Sequence, residues 1–129
     1  MWKSLLAGLI NNDVTAGDSW FYPDIEPVII EGNRREAFQT IKQTFEELGD
    51  NWILGSTSLN KLFLEGAVET PTLNFRDDFT VVLEPLNDEE QKWKVIARSR
   101  SRIGLGDFGK NAENLRTFYA KLRDLSSTD

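Results

Sequence analysis

Four β-rich stretches follow one another near residues 52–58, 61–69, 79–84 and 93–101, and no helical stretch separates any two of them. Strands joined by connections this short pair antiparallel, because a parallel partner needs a crossover of about a dozen residues or more. Asn87-Asp88-Glu89-Glu90 is a turn by composition, and Pro71 together with the Asp77-Asp78 pair is expected to break the chain between the second and third stretches.

Helices are expected on either side of this run. Asn33 is a good N-cap, Glu36 three residues later completes a capping box, and Ala37, Phe38, Ile41, Phe45 and Leu48 form one apolar stripe ending at Gly49. A second stripe, Ala112, Leu115, Phe118, Tyr119, Leu122 and Leu125, predicts a final helix over about 108–124. Residues 20–27 carry two prolines and read as extended chain leading into a short strand at 28–30. The order β-α-β-β-β-β-α predicts an α+β fold: a single twisted antiparallel sheet of roughly four or five strands, with two amphipathic helices on one face. Residues 1–10 place Trp2, Leu5, Leu6, Leu9 and Ile10 at helical spacing, a brief amphipathic turn. Its apolar run is too short for a membrane span or a signal peptide. The expected division is an N-terminal turn and linker (1–19), one domain (20–125) and a loose tail (126–129).

A chain of 129 residues buries roughly two thirds of its unfolded surface as one domain. It contains no cysteine and no histidine, which excludes disulfides, thiolate or imidazole metal sites and imidazole-based triads. Fifteen basic residues against 21 acidic ones leave a net charge of −6. Non-specific binding to nucleic acid or to anionic lipid is therefore not expected. The lack of cysteine suits a reducing compartment, and a cytoplasmic location is the expectation.

The richest stretch runs from the last strand into the last helix. Gly104-Leu105-Gly106-Asp107-Phe108-Gly109 matches G-x-G-x-x-G, but a dinucleotide fold needs a parallel strand after the helix, and only 20 residues follow Gly109. Asp107 also places a carboxylate where a phosphate would sit, well positioned to cap the helix amides. No cofactor is expected. The glycines read first as necessities of a tight turn and second as an amide nest.

Ser99, Ser101, Arg102, Gly104, Asp107, Gly109 and Asn111, followed by an amphipathic helix, resemble the C-terminal signature of the domain of unknown function 1499 family. Phe75-Arg76-Asp77-Asp78-Phe79 with its alternating strand is similar to that family's aromatic and paired-aspartate hairpin, and Tyr22-Pro23-Asp24-Ile25-Glu26-Pro27 to its extended approach. The resemblance covers residues 22–122. It implies a fold and a set of motif positions and no reaction, since the family's function is uncharacterised. Arg100 stands where the family pattern leaves the residue free.

Alternation along 93–101 sends Trp93, Val95, Ala97, Ser99 and Ser101 to one face, and Lys94, Ile96, Arg98, Arg100 and Arg102 to the other. Three guanidiniums then stand in a row at intervals of about 6.6–6.8 Å, suited to carboxylate or phosphate. Such a row can hold an anionic ligand or an acidic protein partner, or it can pair with Glu65, Glu69, Asp78 and Glu84 in cross-strand ladders. Ser99 and Ser101, facing the core, allow close approach of the last helix and satisfy local backbone groups, and with no histidine neither is an activated nucleophile. Asp77 and Asp78, with Asp24 and Glu26 as further ligands, could bind a hard cation or act as an acid/base pair, against the simpler role of a turn. Trp2, Trp20, Phe21 and Tyr22 either fold over the sheet or form an exposed apolar patch.

The expectation is a binding or accessory module using Arg98, Arg100 and Arg102. A small carboxylate- or metal-dependent enzyme built on Asp77 and Asp78 is the alternative, and a structural assembly subunit docking through its N-terminal aromatics a third. Whether the chain catalyses anything, and its oligomeric state, are open at this level.

Overall fold

The computed structural model describes residues 13–15, 25–69, 76–101 and 110–126. Along the chain these form β1 (Asp13–Thr15), β2 (Val28–Glu31), α1 (Arg34–Glu46), β3 (Trp52–Ser58), β4 (Phe63–Glu69), β5 (Arg76–Pro85), β6 (Lys92–Ser101) and α2 (Lys110–Ser126). Every strand pairing is antiparallel, in the order β1-β6-β5-β4-β3, with β2 also paired to β6. The α+β architecture and, from β2 onward, the order β-α-β-β-β-β-α are those the sequence predicts, and β1 adds a sixth strand.

Two short strands share one flank of β6. β1 lies against Arg98 to Arg100 and β2 against Lys92 to Val95, which leaves Ile96 and Ala97 between them. Tyr119 fills that gap from α2: its hydroxyl accepts from the Ala97 N–H at 3.0 Å and donates to the Val95 carbonyl at 2.7 Å.

α1 starts as its sequence dictates. The Asn33 side chain accepts from the Glu36 N–H and the Glu36 carboxylate accepts from the Asn33 N–H, both at 2.8 Å, so two otherwise orphaned amides are satisfied reciprocally. Gly49, at φ 112°, turns the chain away after the helix. The stripes of α1 and α2 both lie on one face of the sheet, where Phe45, Trp52, Phe79 and Phe118 pack edge on, tilted and, for Trp52 on Phe118, stacked, with centroids 4.9–6.4 Å apart. Trp93 is fully buried and its Nε1–H donates to the Gly32 carbonyl at 2.9 Å. Each such side chain contributes about 1.5–3 kcal/mol by leaving water. Gly66 has no side chain because the Phe45 ring and the Ile53 carbonyl occupy the space a Cβ would need.

Four boundaries differ from expectation. β1 falls in sequence read as linker; three residues carry no periodic signal, and the strand is held by its register on β6. β4 starts at Phe63, since Leu62 has a positive φ in the preceding turn. β5 starts at Arg76, so Asp77 and Asp78 belong to a strand and not to a turn. Ser126, expected as the first tail residue, is the last residue of α2, and Leu125 is only half-buried. Among the described residues no helix is long and apolar enough to cross a membrane.

Candidate functional site

The helices cover one face of the sheet and leave the other open. On β6 the alternation holds residue by residue: Trp93, Val95, Ala97 and Ser99 are buried under the helices, while Arg98 and Arg100 are exposed on the open face. Register builds the surroundings. Arg100, Asp78, Ala67 and Ile53 form one cross-strand row, and Arg98, Thr80 and Glu65 form the next. Both rows line a depression of about 450 Å³, closed on its far side by Gly55 and Ser56 of β3 and bordered by Arg76. A volume of this order suits a small ligand.

Three guanidiniums and two carboxylates line the depression. Arg76 is engaged with Glu69, directly opposite it in register, through an Nε–H bond of 2.7 Å and an ion pair. Asp78 stands directly opposite Arg100, and Glu84 opposite Lys94. Glu69 therefore belongs to Arg76 and not to the arginine row. Among the described residues, the Arg100 side chain makes no hydrogen bond or ion pair.

Beneath the row, on the helix side, lies a buried polar chain. Asn114 Nδ2 donates to Asp77 Oδ2 at 2.8 Å and to Ser99 Oγ at 3.1 Å; Ser99 Oγ donates to Asn111 Oδ1 at 2.6 Å; Asn111 Nδ2 donates to Ser101 Oγ at 2.9 Å. Asn114 donates in both directions, toward Asp77 and through Ser99 and Asn111 toward Ser101, and Asp77, Ser99, Asn111 and Asn114 are all buried. Among the described residues no buried side-chain polar atom lacks a partner. The network ties α2 to the ends of β5 and β6 and so sets the strand segment from which Arg98 and Arg100 project. The serines satisfy side-chain amides here, where the sequence suggested backbone groups. Asp77 and Asn114 were not read as partners, although polar residues at 111 and 114 on the buried side of α2 were the available signal.

Asp77 and Asp78 do not converge. Neighbours in a strand point to opposite faces, so Asp77 is buried against Asn114 while Asp78 lines the open face. The two carboxylates cannot chelate one cation or share one proton, and the paired-aspartate site is corrected on that ground. Among the described residues no three acidic side chains gather as a metal site. Arg102, Gly104, Gly106, Asp107 and Gly109 lie outside the described residues, as do Asp24 and the aromatics Trp2, Trp20, Phe21 and Tyr22. Ser99, Ser101 and Asn111, from the same motif, are brought together in the buried chain.

A search of the curated proteins finds no match. The family described as "Protein of unknown function (DUF1499)" matches residues 7–122, a span that holds the whole sheet, both helices up to Leu122, the arginine row and the buried polar chain. The chain therefore belongs to the domain of unknown function 1499 family.

Proposed function

We propose that this protein is a binding module that takes a small anionic ligand, bearing a carboxylate or phosphate, in the open-face depression, with Arg98 and Arg100 as the recognising groups. The observation that carries this is the Arg100 guanidinium, which stands at a 450 Å³ depression and makes no hydrogen bond or ion pair among the described residues. The Arg100 fork of donors offers bidentate recognition of an oxyanion, and Arg98, two residues away on the same face, adds a second positive charge. Ile53, Ala67 and Thr80 supply a mixed apolar and hydroxyl floor for the rest of such a ligand.

The competing reading makes the arginines rungs of a cross-strand ladder, and the register of Arg100 opposite Asp78 favours it. Thermal unfolding separates the two. The parent and Arg98→Gln/Arg100→Gln are melted alone and with phosphates, nucleotides, polyanions and carboxylates. A ligand at 100 times its dissociation constant stabilises a fold by about 2.7 kcal/mol. The expected outcome is that at least one anion raises the parent's Tm and leaves the double variant unmoved. If no anion moves the parent and the double variant melts lower, the arginines are ladder residues and anion binding is rejected.

A further inference from the structure

The charges of the depression are arranged in a direction. Arg76 is answered by Glu69, which leaves Arg98 and Arg100 on β6 facing Asp78 on β5 and Glu65 on β4. Two positive and two negative charges then line the site, with the guanidiniums on one flank and Glu65 on the other. A ligand that is only an anion meets both carboxylates as well as both guanidiniums, and the like charges oppose it. An ammonium on the same ligand turns that repulsion into attraction.

Glu65 is the carboxylate placed to receive it. Its side chain is exposed and makes no hydrogen bond or ion pair among the described residues, whereas Asp78 has a further interaction of its own. The unengaged Arg100 side chain stands two strands away and one row along, since Arg100 aligns with Asp78 and Ala67, and Glu65 with Thr80 and Arg98. Neighbouring strands lie about 4.8 Å apart and alternate residues about 6.8 Å, so the Cα atoms of Arg100 and Glu65 are about 12 Å apart. With both side chains standing off the sheet in one direction, their heads are too distant to bond to each other. Ala67 and Thr80, small residues between them, leave the span open. Charge-assisted bonds of about 2.8 Å at each end leave about 6 Å between the charges of a ligand that bridges the two. We propose that the ligand of this depression is a zwitterion, its carboxylate or phosphate held by Arg100 and its primary ammonium by Glu65, with the two charges about 6 Å apart. Zwitterion binding rests on the anion site proposed above and adds to it a second charge at a set spacing.

The test is calorimetric titration of the full chain with propyl phosphate and with 3-aminopropyl phosphate, whose extended chain sets nitrogen and phosphorus about 6 Å apart. Parent, Glu65→Gln and Arg100→Gln are compared; both side chains are exposed, so the substitutions leave the core untouched. The expected result is that the parent binds the amino ligand about threefold or more tightly than propyl phosphate. Glu65→Gln should bind the two alike, and Arg100→Gln should lose most of the affinity for both. Equal affinity of the parent for the two ligands, or an amino advantage that survives in Glu65→Gln, would overturn the zwitterion and leave the anion site standing. A parent that binds neither would also overturn it, and the panel of anions then decides the anion site separately.

Discussion

The Tyr119 hydroxyl occupies the gap that β1 and β2 leave on β6, and it is one of only two tyrosines in the chain. Burial pushes its ionisation well above the ordinary phenol value of 10.0, outweighing the Ala97 N–H and the nearby Arg123, both of which lower it. In the unfolded chain the phenol gives up its proton near pH 10, while in the fold it keeps it. The phenol's contribution to stability is thus fully present below about pH 10 and falls by about 1.4 kcal/mol per pH unit above it. Urea unfolding from pH 7 to 11 should show this alkaline fall in the parent. In Tyr119→Phe the fall should be shallower, on top of a pH-independent loss of about 1–3 kcal/mol from the unsatisfied Ala97 N–H and Val95 carbonyl. A parent and variant with parallel pH profiles would show that the phenol does not titrate abnormally.

Among the elements, the join between α2 and the ends of β5 and β6 is polar, whereas the rest of the helix layer is apolar. Asn114 donates both to a carboxylate and to a serine there, and a bond to a charged acceptor is worth more than a neutral one. Asn114→Ala should lower unfolding stability by about 1.5–3 kcal/mol in chemical denaturation, with the far-UV spectrum unchanged. A loss below about 0.5 kcal/mol would mean that the network contributes little. Most elements were legible beforehand because each carries its own local signal: the Asn33–Glu36 capping box starts α1, period-3.6 stripes mark both helices, and strict alternation marks β6. β1 had no such signal at three residues. The placement of Asp77 and Asp78 in β5 was missed because aspartate favours turns locally, and the burial of Asp77 is decided by a helix 37 residues away.

On the scale of the whole molecule, an acidic chain gathers cations on one strand face. Lys92, Lys94, Arg98 and Arg100 share the open side of β6, partly answered by Glu31, Glu84 and Asp78 on its neighbours. The sequence by itself determined the helices, the antiparallel sheet and the face to which Arg98 and Arg100 point, because period and alternation are properties of a few neighbouring residues. Only the tertiary structure decided which side chains meet: that Arg76 is held by Glu69, and that Ser99 and Asn111 form a chain ending on Asp77. Those outcomes depend on inter-strand register and on where α2 packs, and both are set by packing between segments far apart in the chain.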